Sequence, residues 1–116
     1  MSYIDMTVMA VPTDRKDAHL AHARRVDVLF KEVGATSVTE AWGDDVPEGK
    51  ITDYRRAVQA TADETVAIGW IVWPDKATRD AGWEKLMKDE RMMSGDAPAF
   101  DGKRMIYGGF EVVLEL

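Results

Sequence analysis

The sequence predicts an α+β fold of ferredoxin-like type, a split β-α-β antiparallel sheet with two helices on one face. Three observations lead there. The order of elements reads strand, helix, strand, strand, helix, strand. The strand segments alternate or run apolar over lengths too short for helices. The chain of 116 residues has no repeat, low-complexity tract or long linker, so residues 1–116 read as a single domain.

The first strand runs from Tyr3 to Val11, with Ile4, Met6, Val8 and Ala10 on one face and Tyr3, Asp5, Thr7, Met9 and Val11 on the other. Pro12 and Thr13 end it. A helix is expected from about Asp14 to Val33, with Asp14 capping its start and Asp17 favoured by the helix dipole. At about 100° per residue, Ala18, His19, His22, Ala23, Val26, Leu29, Phe30 and Val33 share one side. Arg24, Asp27 and Lys31 are placed opposite, and Gly34 supplies the stop.

Ala35 to Trp42 alternates again, with Thr36, Val38, Glu40 and Trp42 on one side. Gly43 to Lys50 reads as a loop, its Val46-Pro47-Glu48-Gly49 carrying the pattern of a type I turn. Thr52 is a candidate cap for a short helix over Asp53 to Ala60, where a strand is the alternative. Thr65 to Trp73 is the most apolar stretch and reads as a strand buried on both faces. Pro74-Asp75 opens a second helix to about Lys88, capped by Asp75 and with a weak apolar stripe. Asp89 to Gly102 is irregular. Arg104 to Leu116 is the last strand, where Gly108-Gly109 signals a bulge and a backbone conformation unfavourable to other residues.

Two helices on one face leave the other sheet face bare, yet the first and third strands carry large apolar groups on both faces. An apolar patch beyond a few hundred Å² marks an interaction surface. A second copy packed sheet to sheet would cover it, so a homodimer through the sheet faces is expected.

Composition bounds the chemistry. There is no cysteine, which removes disulfides, zinc–thiolate sites and cysteine nucleophiles and fits a reducing, cytoplasmic setting. No apolar run approaches the roughly 20 residues of a spanning helix, and the first residues lack a signal-peptide pattern, so a complete chain with no membrane partner is expected. Lys and Arg number 15 against 21 Asp and Glu, a net charge of −6, and the basic pairs are scattered. That balance argues against a nucleic-acid partner, because such affinity rests on neutralised phosphates.

Several segments carry a resemblance: AVPTDRKDA (10–18), KEVGA (31–35), DDVPEGKITDY (44–54), GWIVWP (69–74), DERM (89–92) and, above all, FDGKRMIYGGFE (100–111). Nearly end to end, the chain resembles the YbaA-like family of uncharacterised bacterial proteins. The resemblance implies a dimeric α+β barrel, in which two ferredoxin-like protomers face their sheets together, and it implies no established activity. The wider group includes cofactor-independent monooxygenases and haem-handling enzymes. His19, His22 and Glu90 depart from the family pattern, so the histidines are not a family-wide catalytic pair.

Among candidate residues, His19 and His22 lie three apart on the inner helix face, as a general base or half-buried core residues. Asp5 is a further candidate base. No third ligand accompanies the histidines, so no metal site is expected, and no cofactor is implied. The carboxylates Asp44, Asp45 and Glu48 read as a solvated turn. Lys103, Arg104 and Tyr107, beside Gly108-Gly109, form a candidate anion pocket or merely a turn entering a strand. Tyr3 and Trp70 are candidate walls for a hydrophobic ligand, and Trp42, Trp73 and Trp83 read as core or interface.

Two functions follow. The first is a homodimeric binding or housekeeping domain with no assignable activity. The second is a cofactor-independent monooxygenase or isomerase acting on a hydrophobic aromatic small molecule, with His22 or Asp5 as base. A pocket holding a histidine or aspartate beside tryptophan favours the second, and a filled interior favours the first. The pocket, if present, is expected between the first helix and the covered sheet face, with His22 at its wall.

Overall fold

The computed structural model describes residues 1–116. The chain forms β1 (Tyr3–Pro12), α1 (Lys16–Glu32), β2 (Ser37–Trp42), the single-turn α2 (Tyr54–Ala57), β3 (Glu64–Trp73), α3 (Lys76–Met87) and β4 (Ile106–Glu111). Short 3₁₀ turns occupy Thr13–Arg15 and Glu90–Met92. The sheet order is β2-β3-β1-β4, with every neighbouring pair antiparallel. This is the expected ferredoxin-like α+β architecture. No helix is long and apolar enough to cross a membrane.

Register fixes the two faces. Tyr3, Asp5, Thr7 and Met9 stand opposite Trp73, Ile71, Gly69 and Ala67 on β3. Val38, Glu40 and Trp42 of β2 lie beside Ile71, Gly69 and Ala67, so all share one face. On that face Leu29, Phe30, Ala35, Trp73 and Leu86 form the main core under α1 and α3. The other face carries Ile4, Met6, Val8, Ile68, Trp70 and Val72. Only one end of it is roofed, by Val58 after α2, which packs on Ala10 and Val66. Met6, Ile106 and Phe110 remain 38%, 45% and 55% exposed there. β3 is therefore not buried on both faces as its composition suggested: Val66, Ala67 and Trp73 are buried, while Trp70, Ile71 and Val72 are half-buried.

Several local expectations need correction. α1 begins at Lys16 after a 3₁₀ turn, and no side chain caps it, so Asp14 is not its cap. The short helix is capped by Asp53, which accepts the Arg56 amide at 2.7 Å and the Gly49 amide at 3.1 Å, rather than by Thr52. Asp75 caps α3 as expected, through the Thr78 amide at 2.7 Å. β4 runs only from Ile106 to Glu111 rather than from Arg104 to Leu116: it pairs with Tyr3 to Val8 of β1, and one further bond joins the Val112 amide to the Ser2 carbonyl. Gly108 and Gly109 sit in unbroken register with Met6 and Asp5, so there is no bulge. The glycines at positive φ are Gly34, which ends α1 as expected, and Gly95. What Gly109 provides instead is a close approach: a Cβ there would strike the Tyr3 ring and the Arg79 guanidinium.

Candidate functional site

A cavity of about 630 Å³ lies between α1 and the helix-bearing sheet face, flanked by the 88–105 segment through Met92, Phe100 and Met105. Its volume is within the range of small-molecule sites. Most of its wall is apolar, and two groups of carboxylates stand at it.

The first centres on Asp5, which β1 turns inward toward α3 and which is 7% exposed. Arg79 and Trp83 lie four apart on α3 and so face the same way. Asp5 accepts the indole N–H of Trp73 and of Trp83, each at 2.9 Å, and Arg79 Nε and Nη2 at 3.1 and 2.8 Å. Burial pushes the Asp5 carboxyl up, but Arg79 and the two indoles outweigh it and hold the group below the usual carboxylate range. Asp5 thus stays an anion whose oxygens are taken by donors, an arrangement that ties α3 to the sheet and leaves it little capacity as a base.

The second is a pair that the sequence reading did not assemble. Glu40 from β2 stands over Gly69 of β3 with Thr7 beside it, and Asp27 from α1 lines the same cavity and acts on Glu40. Gly69 makes the room: a Cβ there would lie 2.9 Å from Glu40 Oε1 and 3.1 Å from Thr7 Oγ1. Burial, then the hydrogen bond and charge of Asp27, push Glu40 up to about 8. Burial also raises Asp27, though the Glu40 hydrogen bond and the His22 charge oppose it. Two carboxyls this close share a proton, because like charges in a poorly solvated site resist ionising together. Asp27 was assigned to the outer helix face. It follows Ala23 by four and precedes Phe30 by three, which puts it on the flank of the stripe instead.

His22 is half-buried at the cavity wall, with Nδ1 3.5 Å from Arg25 Nη2, a distance that marks at most a weak bond. His19 is 3% exposed, and neither ring nitrogen has a protein partner. Its ring packs at 6.2 Å on Trp42 and edge-on at 6.0 Å to Phe100. Burial, helped by the His22 charge, lowers its affinity for a proton, so it forms the wall as a neutral aromatic ring. No cluster of three potential ligand side chains forms a metal site.

The remaining candidates are dispersed. Tyr3 packs in the main core with the Arg79 guanidinium 5.1 Å above its ring. Trp70 borders the cavity from the strand whose open face it occupies. Tyr107 reaches the cavity rim but is 78% exposed. Arg104 is engaged with both Glu64 oxygens at 2.7 Å and with Asp101 at 3.1 Å, and Lys103 is exposed. The structure therefore does not bring Lys103, Arg104 and Tyr107 together as an anion pocket.

Fold and cavity together define a ferredoxin-like α+β protein with an acid-bearing cavity under its helices. The solved structure of a dimeric ferredoxin-like protein from an uncultured marine organism is similar to it, with a TM-score of 0.60 over 99% of this chain and 98% of that one, at 11% identity. That likeness concerns the fold. The chain belongs to the family described as "Protein of unknown function (DUF1428)", whose profile matches residues 2–102. It is 50% identical over 116 residues to the uncharacterized protein YbaA of Escherichia coli K12, covering 99% of each chain, and equally to that of Shigella flexneri. The expected family resemblance is thus established, and neither family nor relatives carry an assigned activity.

Proposed function

We propose that the protein is a homodimer in which each protomer binds a small, largely apolar, uncharged molecule between α1 and the sheet. The observation that carries this is the cavity of about 630 Å³, lined by His19, His22 and Asp5 beside Trp83. A filled interior was the alternative expectation. The ligand is uncharged because the one Arg or Lys that lines the cavity is committed. Arg79 is paired with Asp5 and Asp80. An anion would find no free partner, and a cation would have to displace a proton from the carboxyl pair. The bare sheet face supports the dimer, because its exposed Met6, Ile106 and Phe110 continue the half-buried Trp70 row, and the fold relative is itself described as dimeric. A sheet-to-sheet interface of this obligate kind buries about 2,000 Å² or more. The cysteine-free sequence is consistent with a cytoplasmic setting for this role.

The test uses untagged protein and the neutral probe N-phenylnaphthylamine. Native mass spectrometry should show a dimer, and energy transfer from tryptophan should report one saturable probe site per protomer. Ala23→Phe, which fills the cavity from α1, should abolish the probe site and leave the dimer. A monomer at micromolar concentration overturns the assembly, and absence of a saturable site overturns the ligand reading.

A further inference from the structure

The carboxyl pair has no structural task that would explain it. Asp5 shows what a structural carboxylate looks like in this fold: four N–H groups of Trp73, Trp83 and Arg79 donate to it, with a cation among them. Asp27 and Glu40 have no such donors: both line the cavity, and neither takes part in a salt bridge to Arg or Lys. Taking carboxyls out of water costs stability unless donors compensate them, and here none does. Their position is also specific. They come from different elements and line one cavity together with His22, five residues before Asp27 on α1, and Glu40 stands over the glycine that clears space for it.

We propose that Asp27 and Glu40 form an acid–base dyad that catalyses proton transfer between carbon and oxygen of an apolar, enolisable ketone held in the cavity. This rests on the cavity reading above and goes beyond it by assigning a reaction. A pair that shares one proton offers an acceptor oxygen and a donor hydroxyl side by side. In the step, a carboxylate oxygen takes the proton from the carbon next to the ketone carbonyl. The C–H electron pair becomes the new C=C bond, and the C=O π pair moves to oxygen. That oxygen takes the proton of the neighbouring carboxyl. One proton has left carbon and one has reached oxygen, so the dyad again holds a single proton, and no oxidant, metal or cofactor enters the balance. The apolar wall made by Met9, Phe30, Phe100 and Met105 suits the body of such a molecule and keeps the dyad poorly solvated.

Around Glu40 the titratable and charged groups of the cavity are His19, His22 and Asp27 on α1, Asp5 on β1, Arg79 on α3 and Tyr107 on β4. Arg79 and Asp5 neutralise one another. The activity should therefore follow a bell in pH. It should rise as the pair loses its first proton and fall through about 8 as it loses the second.

The experiment follows enolisation of benzoylacetone by ultraviolet absorbance with the untagged protein, and its binding by tryptophan quenching in parallel. The wild type should accelerate interconversion above the buffer rate with the bell described. Glu40→Gln and Asp27→Asn should each lower the rate constant at saturation by roughly 10²-fold or more while still binding the ketone. Two isosteric variants on different elements guard against a folding defect in one, and circular dichroism checks both. Binding without acceleration overturns the dyad as a catalyst and leaves the cavity reading standing. Failure of benzoylacetone to bind while N-phenylnaphthylamine binds overturns the proposed substrate class, and failure of both overturns the cavity reading as well. Acceleration that both variants retain overturns the assignment of the residues.

Discussion

Asp5 and Glu40 project from the same face of the sheet, two strands apart, and their surroundings ionise them in opposite senses. Asp5 is met by an arginine and two indoles, and it stays charged. Glu40 is met by another acid, and it keeps its proton to about 8. Burial raises both groups, so it does not separate them. Their partners do: fixed donors stabilise an anion, and a second carboxyl penalises it. One end of the cavity is thus tied together by its carboxylate, and the other holds a proton that a ligand can exchange.

The comparison breaks most visibly at Asp5. Asp5→Ala leaves the Arg79 charge and two indole N–H groups without their acceptor at the junction of α3 and the sheet. Removing one partner of a buried pair costs about 3–5 kcal/mol. Urea unfolding should show that loss with an unchanged slope. A loss below about 1 kcal/mol would mean that the network contributes little and that Asp5 is free for another role.

A smaller effect tests how Asp5 gets its neighbours. Gly109 stands opposite Asp5 in the β1–β4 ladder, and its bare Cα lets Tyr3 and Arg79 lie across it. Gly109→Ala forces that stack aside and should cost about 1–3 kcal/mol, the usual range for overpacking. At Gly108 a Cβ meets only the Phe110 ring at 3.5 Å, so Gly108→Ala should change stability by about 0.5 kcal/mol or less. Equal effects in thermal unfolding would show that the glycine pair matters through its backbone, as the sequence first suggested.

The Asp5 end was partly legible and the Glu40 end was not. Alternation placed Asp5 among Tyr3, Thr7 and Met9 on one face, which flagged a charged residue turned inward. Its donors come from residues 68, 74 and 78 positions away, and no local pattern connects them. The element order and the bare sheet face followed from periodicity, because sidedness is a local property of strands and helices. Glu40 also carried a local signal, an acid between Val38 and Trp42 on an apolar strand face. Gly69 carried another, a lone glycine inside TVAIGWIVW. What hid the pair was the assignment of Asp27 to the outer helix face, an error of one flank on a helical wheel. The histidines drew attention because titrating rings are conspicuous in sequence, whereas a carboxyl pair exists only once two elements pack.

The last difference between the two ends is the sign of their pH dependence. Asp5 is depressed when folded, so its contribution is fully present above its unfolded value of 3.8 and is lost as pH falls through its lower folded value. Glu40 is raised from 4.5 to about 8, so between these values the folded protein binds more protons than the unfolded chain. Stability must then decline as pH climbs across that window, and the decline ends once the folded pair has ionised. Glu40→Gln removes this linkage while keeping the shape of the side chain and a donor for Asp27. The variant should gain on the wild type between pH 5 and 8, by up to about 4 kcal/mol at about 1.36 kcal/mol per pH unit, because the wild type must bury a second charge or keep a costly proton. Near pH 5, where both forms are neutral at this position, the two proteins should be nearly equal. Unfolding midpoints in urea at pH 5, 6.5 and 8 check this directly. Asp27→Asn should narrow the same window without closing it, because burial still raises Glu40 but the Asp27 charge no longer adds to it, while Arg79 and Asp5 across the cavity are already paired. A wild-type curve that rises steadily to pH 8 would show that Glu40 ionises normally, and the contrast with Asp5 would disappear.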